Sequence, residues 1–149
     1  MVSVEKIIDK FKQLDEFLAI LKGMRKTSRD KFLNDKILIG SAKYYLQVSI
    51  ECCLDIANHI IAAECFRAPK DYADSFKVLE EYEVLDGNLG IKLRQMAKFR
   101  NRLVHLYGEI DDEYLYNFIG KDLKDISDFK GVIAGKYLAP PDRNNSGTT

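Results

Sequence analysis

The chain has 149 residues, with 23 lysines and arginines against 23 aspartates and glutamates, and 46% of its residues are hydrophobic. That apolar content predicts one soluble globular domain and excludes a disordered chain, while 9 glycines and 3 prolines exclude a collagen-like repeat. The net charge of +0 argues against a polybasic protein that coats nucleic acid.

The first two helices are predicted by apolar residues that recur every three or four positions. The first helix begins behind a Ser3 cap and ends at Gly23. The second runs over about residues 28–66, and we expect a bend at Gly40. Its apolar face is broad around residues 48–61, which suggests self-association, although an inward-facing core helix explains it nearly as well.

Three more helices are predicted from the same spacing. They cover residues 71–83, 89–104 and a longer stretch that begins at Asp111 or Asp112 and ends near 133. Because no alternating strand pattern competes, the sequence predicts an all-α, up-and-down bundle of four to five helices. We expect residues 1–137 to form this single domain and the polar residues 138–149 to form a flexible C-terminal tail.

Cellular location and cofactors are predicted mainly from what the sequence lacks. The longest apolar stretches, such as residues 60–63, are too short to span a bilayer, and no signal-peptide core follows Met1, so we expect a cytoplasmic protein with no membrane partner. Cys52, Cys53 and Cys65 lack metal-ligand spacing and are expected to be small buried hydrophobes on a helix. The sequence therefore predicts no metal site, no disulfide framework and no cofactor. His59 is interpreted as an interfacial or hydrogen-bonded histidine.

The neutral total conceals two charged strips. Residues 87–108 hold five cationic and no acidic residues, a local charge of +5, whereas residues 109–129 hold seven acidic residues against two lysines, a local charge of −5. A solvated helix face is the usual origin of such a run, but the basic run contains one of only two histidines in the chain. The cations of the basic strip are Lys92, Arg94, Lys98, Arg100 and Arg102.

The basic strip contains a motif in which Arg100 is followed by four residues and then His105, with Tyr107 two residues later. This spacing resembles the active motif of ribonucleases of the HEPN superfamily. Residues 99–107 have the sequence Phe-Arg-Asn-x-Leu-Val-His-x-Tyr, which is similar to that of the HepT-like toxins of prokaryotic toxin–antitoxin pairs. The resemblance continues upstream through residues 54–62 and 72–85 and covers about residues 3–135.

The resemblance implies a metal-independent endoribonuclease that acts as a homodimer, with two Arg-x4-His motifs meeting across the interface. Cleavage of RNA through its own 2′-hydroxyl needs a base, an acid and a cation, and two histidines and an arginine supply them without a metal. Because DNA lacks that hydroxyl, we expect it not to be cut. The implied catalytic residues are Arg100 and His105, supported by Asn101, Arg102 and Lys98 as RNA contacts.

The resemblance also implies a protein partner. In the family, a minimal nucleotidyltransferase antitoxin transfers AMP to a tyrosine placed as Tyr107 is, which adds negative charge beside the arginines. An aromatic residue that covers the helix end is an equally simple interpretation of Tyr107. His105 has a similar alternative, because a helix-terminal histidine can satisfy backbone carbonyls.

One geometric difficulty concerns the motif itself. Residues five apart lie about 140° apart around an ideal helix, so Arg100 and His105 do not share a face, whereas Arg102 and His105 do. Either the helix ends near Val104 and frees His105 to turn back, an option that the helix-breaking Gly108 favours, or Arg102 shares the role of Arg100. A non-catalytic helical partner of a nucleotidyltransferase and a structural dimeric adaptor remain as alternative functions.

Overall fold

The computed structural model describes residues 1–105 and 110–138, and within those ranges the chain is helical without strands. This confirms the predicted all-α fold. The helices are α1 (Val4–Met24), α2 (Arg29–Leu33), α3 (Lys36–Ala63), α4 (Tyr72–Glu81), α5 (Gly87–His105), α6 (Asp112–Lys121) and α7 (Leu123–Ile133), followed by a π-helix (Ala134–Leu138). Leu138 is the last described residue, so the rest of the predicted tail lies outside the described ranges.

Side-chain caps explain where most of these helices begin. Ser3 Oγ accepts a hydrogen bond from the backbone N–H of Lys6, and Asp71 Oδ1 accepts one from Asp74. Such bonds satisfy amide groups that have no partner within the first turn of a helix. The predicted starts of α1 and α4 are therefore correct to within a residue.

The predicted helix over residues 28–66 is in fact two helices, which meet at Asn34 and Asp35 rather than bending at Gly40. Asp35 Oδ1 accepts hydrogen bonds from the backbone N–H groups of Ile37 and Leu38, so it caps a new helix. Gly40 lies inside α3, and the helix continues through it. The cap at Asp35 stabilises the start of a new helix by more than Gly40 destabilises the interior of α3. The break therefore falls at Asp35 and not at Gly40.

The predicted helix over residues 111–133 is also divided, at Asp122 between α6 and α7. The backbone N–H of Asp122 donates to Phe118, and the N–H of Asp125 donates to Asp122 in a tighter turn. The described residues therefore form seven α-helices instead of four to five. Both halves keep their apolar residues facing inward, which is why the periodic pattern continues across the break.

Helix α3 lies at the centre of the fold and contacts all six other α-helices. By length and composition alone it is also long enough and apolar enough to cross a membrane, but 56% of its apolar window is buried inside the fold. The inward-facing alternative therefore explains its broad apolar face.

Cys52 and Cys53 are buried on α3, as predicted, and burial raises the pKa of the Cys53 thiol well above its usual range.

The prediction for the third cysteine is wrong. Cys65 lies beyond the end of α3, is exposed and has a left-handed backbone conformation with φ of 56°.

The segment that follows Cys65 is fastened to α4 by Arg67. The guanidinium pairs with both carboxylate oxygens of Asp74 at 2.8 and 2.9 Å and with Glu81 at 2.7 Å. The rings of Phe66 and Tyr82 stack with their centroids 4.0 Å apart.

Two helical glycines differ in the space beside them, and this difference predicts opposite effects on stability. A Cβ at Gly40 meets nothing within 4 Å, whereas a Cβ at Gly90 lies 2.5 Å from Oε2 of Glu80, a carboxylate that pairs with Arg94. Gly40→Ala is expected to raise the free energy of unfolding by about 0.5–1 kcal/mol, because alanine loses less backbone entropy. Gly90→Ala is expected to lower it, because the carboxylate must move. Urea denaturation of both variants measures the effects, and equal stabilisation would contradict this account.

Candidate functional site

The motif residues Arg100 and His105 lie on the last two turns of α5, which continues as a helix through His105. Around an ideal helix, residues 98, 102 and 105 fall within about 60° of one another, whereas residue 100 lies about 140° from residue 105. The structure follows this geometry, since Lys98, Arg102 and His105 are exposed while Arg100 is half-buried. The described helix therefore brings Lys98, Arg102 and His105 to one face and leaves Arg100 on another.

Arg100 is held by α3 and α4. Its Nε and Nη2 donate to Oε1 of Glu51 at 3.2 and 2.8 Å, and its guanidinium lies over the ring of Tyr72, 4.8 Å from the centroid. The remaining nitrogen, Nη1, donates to Oδ1 of Asn101 at 3.3 Å, the longest of these contacts. The Arg100 side chain is only 13% exposed. Nη1 is therefore the nitrogen most easily released to a ligand.

Glu51 is the site residue that the sequence analysis missed. Its Oε1 also accepts a hydrogen bond from Nε2 of Gln47 at 3.1 Å, so one carboxylate oxygen joins α3 to α5. A signal was present, because Gln47, Glu51, Asp55 and Asn58 recur every three or four residues and form a polar stripe on an otherwise apolar helix. What the sequence does not provide is the partner, which lies 49 residues away.

A cavity of about 260 Å³ borders Arg100. Its charged lining consists of Arg100, Glu51 and Asp55, and Asp55 pairs with Nζ of Lys10 at 2.8 Å. That hydrogen bond raises the pKa of Lys10, which keeps the lysine charged. Because Glu51 already neutralises Arg100, this cavity in a single copy of the chain carries little positive potential for a phosphate.

The two predicted charged strips do not simply pair with each other. Arg94 pairs with Glu80 and Arg100 with Glu51, both outside the acidic strip, while Lys92 lies 4.0 Å from Asp125 within it. Burial raises the pKa of Asp122 and Asp125 above the usual value. Within residues 1–105 and 110–138, Lys98, Arg102 and His105 form no ion pair. We call these three residues the cationic face of α5.

The second histidine has a structural contact. Nε2 of His59 accepts a hydrogen bond from the backbone N–H of Ser3 at 2.9 Å, which ties α3 to the start of α1. Burial lowers the pKa of His59, and the charges of Lys6 and the N-terminus lower it further, so the ring is neutral and can accept. The expectation of a hydrogen-bonded histidine is confirmed. Tyr107 lies outside the described residues.

No group of three or more histidine, cysteine, aspartate or glutamate side chains that could hold a metal ion is found in the part of the chain that the structure describes. The described candidate site consists of Arg100, its anchors Glu51 and Tyr72, the neighbouring Asn101, and the cationic face. Cations and a histidine of this kind can bind a phosphate and transfer a proton.

Comparisons with known proteins point to one family. A family model described as "Ribonuclease HepT-like" matches residues 7–133. The mRNA nuclease HepT of Shewanella oneidensis is 32% identical over 103 residues, which cover 69% of this chain and 77% of that protein. The tRNA nuclease HepT of Aphanizomenon flos-aquae is 26% identical over 120 residues, which cover 78% and 80%.

A solved structure agrees with these matches. The tri-AMPylated Shewanella oneidensis HEPN toxin in complex with an MNT antitoxin shares the fold with a TM-score of 0.83 and 27% identity. The match covers 89% of this chain and 99% of the solved chain.

Removing the Glu51 carboxylate, which anchors Arg100, is expected to lower the stability of the fold measurably. Glu51→Ala leaves a mostly buried guanidinium without its carboxylate, so the free energy of unfolding is expected to fall by about 1–3 kcal/mol. Glu51→Gln keeps an acceptor oxygen and is expected to lose less. Asp55→Ala on the same helix is the matched control, because its ion pair with Lys10 is more exposed and contributes about 0–1 kcal/mol. Equal losses for Glu51→Ala and Asp55→Ala in urea denaturation would show that Arg100 does not depend on Glu51.

Proposed function

Because this chain belongs to the HepT-like ribonuclease family, we propose that it is the endoribonuclease toxin of a prokaryotic toxin–antitoxin pair and cleaves RNA in the cytoplasm. The observation that carries the proposal is the family match over residues 7–133, within which Arg100 and His105 stand at the motif spacing. The names of the relatives, mRNA nuclease and tRNA nuclease, support RNA as the substrate class.

The cationic face of α5 supports the binding of RNA. Lys98 and Arg102 are exposed and are separated by one helical turn, a spacing that suits contacts to neighbouring phosphates of a strand. Arginine binds phosphate oxygens with two parallel N–H groups, and lysine does so as a point charge. A small patch of this kind grips a few phosphates near one bond, which is consistent with the neutral charge of the whole chain.

The separation of Arg100 from His105 supports a homodimer. With α5 helical through residue 105, one copy does not direct both side chains at a single phosphate. Two copies related by a two-fold axis supply two histidines and two arginines to one cleft. One His105 then serves as base while the other serves as acid, and Arg102 shares with Arg100 the binding of phosphate oxygens.

The proposed reaction requires no metal. One His105 accepts the proton of the RNA 2′-hydroxyl as that oxygen attacks the adjacent phosphorus, and the second His105 donates a proton to the departing 5′-oxygen. Arg100, with Nη1 as its most easily released nitrogen, stabilises the negative charge that develops on the phosphate oxygens. Asn101, which already contacts Nη1, orients the guanidinium or donates to the phosphate.

The proposed regulation acts on Tyr107. A partner nucleotidyltransferase transfers AMP to this tyrosine and so places negative charge and bulk two residues from His105. The support comes from the solved HEPN toxin, which is AMPylated and bound to an MNT antitoxin, together with the motif spacing. The added charge is expected to repel the RNA backbone.

A second candidate function has its own support. The ion pair between Arg100 and Glu51 leaves little free charge at Arg100, and His105 lies on another face of α5. A non-catalytic helical partner of a minimal nucleotidyltransferase would tolerate both features. It differs from the proposed toxin in forming a tight complex without cleaving RNA.

The ribonuclease proposal is tested by cleavage of a single-stranded RNA in the presence of a chelator. His105→Ala and Arg100→Lys are expected to reduce the cleavage rate about 10²-fold or more, because they remove the proton-transfer group and the forked phosphate contact. Lys12→Ala, an exposed cation on α1, is the matched control and is expected to cleave as the parent does. Undiminished cleavage by His105→Ala would overturn the catalytic assignment. A product with a 3′-hydroxyl end would overturn the 2′-hydroxyl route.

The proposed regulation is tested separately with a minimal nucleotidyltransferase and ATP. We expect the intact mass of the chain to increase by one or more AMP groups and its ribonuclease activity to fall. Tyr107→Phe has no acceptor oxygen at this position, so it is expected to stay unmodified and active. Transfer of AMP to Tyr107→Phe to the same extent would show that another residue is the acceptor.

A further inference from the structure

A second and larger cavity lies beside the Arg100 site and shares Tyr72 and Asn101 with it, and the proposed reaction does not use the rest of this cavity. Its volume is about 640 Å³, within the range of about 300–1,000 Å³ that small-molecule sites occupy. The lining is mostly apolar and comes from the end of α3, the connection to α4 and the first turn of α4, with Asn101 of α5 at one edge. The apolar part of the wall includes Ile61, Ala62, Phe66, Ala68 and Pro69.

The cavity is close to the cationic face. Asn101 precedes His105 by four residues, so the two lie on adjacent turns about 40° apart around α5, with Cβ atoms about 5–6 Å apart. The larger cavity also shares Asn58 and Tyr72 with the smaller cavity at Arg100. A nucleotide whose sugar and phosphate lie at His105 therefore has its base within reach of this cavity.

The polar lining consists of the amides Asn58 and Asn101, the hydroxyl groups of Ser75 and Tyr72, and Lys70 and Asp71, of which Asp71 accepts the capping hydrogen bond of α4. The two amides present hydrogen-bond donors. Oδ1 of Asn58 accepts from the buried hydroxyl of Ser75 at 2.8 Å, which leaves the amide nitrogen of Asn58 free to donate. Oδ1 of Asn101 likewise accepts from Arg100, which leaves its nitrogen as a donor. Two amide donors at the edge of an apolar cavity, with the ring of Tyr72 in the wall, suit a flat ligand whose edge carries carbonyl oxygens.

We propose that this cavity is a base-binding subsite, which takes the unpaired nucleobase next to the scissile phosphate and favours bases with carbonyl oxygens. The inference rests on the proposed ribonuclease function, because RNA is the ligand that would present such a base beside His105. Asn58 and Tyr72 are then specificity-determining residues. The wall is formed before the ligand binds, because Arg67 fastens the connection between α3 and α4 to Asp74 and Glu81.

The test measures binding directly, without cleavage. Uridine 3′-monophosphate and ribose 5-phosphate, which lacks a base, are titrated into the full chain while backbone amide signals are followed by NMR. Uridine 3′-monophosphate is expected to shift the signals of residues 58–75 and 101, whereas ribose 5-phosphate shifts only those of the cationic face. Equal shifts of residues 58–75 by both probes would overturn the proposal.

Variants that fill the cavity provide the second arm. Ala62→Phe on α3 and Ala68→Phe in the connection introduce a ring at exposed lining positions, and each is expected to weaken uridine 3′-monophosphate binding about tenfold or more. Ala19→Phe, at an exposed position of α1 outside this cavity, is the matched control and is expected to bind as the parent does. Unchanged affinity in both cavity variants overturns the proposal.

Other outcomes separate this inference from the proposed function. If both cavity variants dissociate a dimer in sedimentation experiments and leave nucleotide affinity unchanged, the cavity belongs to an interface between copies and the base subsite is wrong. A chain that binds uridine 3′-monophosphate as expected but never cleaves RNA refutes the ribonuclease alone. A chain that cleaves RNA and shows no binding at residues 58–75 refutes the subsite alone.

Discussion

The structure depends on the burial of one long helix. Helix α3 contacts every other α-helix, and the apolar side chains along its length form the centre of the core. Removing so much apolar surface from water is the main favourable contribution to folding, so the positions of α1, α4 and α5 are set by how they pack on α3. The arrangement also limits where polar groups can lie, because a polar side chain on such a helix must find a partner.

The candidate site is located where α3 departs from that apolar character. Gln47, Glu51 and Asn58 form a polar stripe, and each has a hydrogen-bond partner from its own or a neighbouring helix. Glu51 meets Arg100 of α5, and Asn58 meets Ser75 of α4. The site therefore follows from the packing of three helices, and its arginine is positioned by residues that are distant in the sequence.

The sequence predicted the features that depend on local physics. The bounds of α1, α4 and α5 follow within about two residues from apolar spacing and capping residues. The helical period raised the separation of Arg100 from His105 as a difficulty, and the expected solution, a helix that ends near Val104 and frees His105 to turn back, is not what the structure has, because α5 is helical through His105. The breaks at Asp35 and Asp122 were missed because apolar residues face the core on both sides of each break, so the pattern continues. The partner of Arg100 was missed for a different reason, since only the packing of α5 on α3 brings Glu51 to it. Cys65 was predicted to be buried on a helix because the second helix was expected to run to about residue 66, but α3 ends at Ala63.

The salt bridge between Arg67 and Asp74 holds the connection between α3 and α4 in place as the pH changes. Asp74 accepts hydrogen bonds from Arg67 and from the backbone N–H of Lys70, and these bonds hold the pKa of its carboxyl group far below the usual range. The same pairing raises the pKa of Arg67. Both groups therefore keep their charges through neutral and mildly acidic conditions. The wall of the larger cavity retains its shape over the interval in which an ordinary histidine gains its proton. The connection between α3 and α4 therefore stays fastened across that interval, because Asp74 is not a group that gains a proton there.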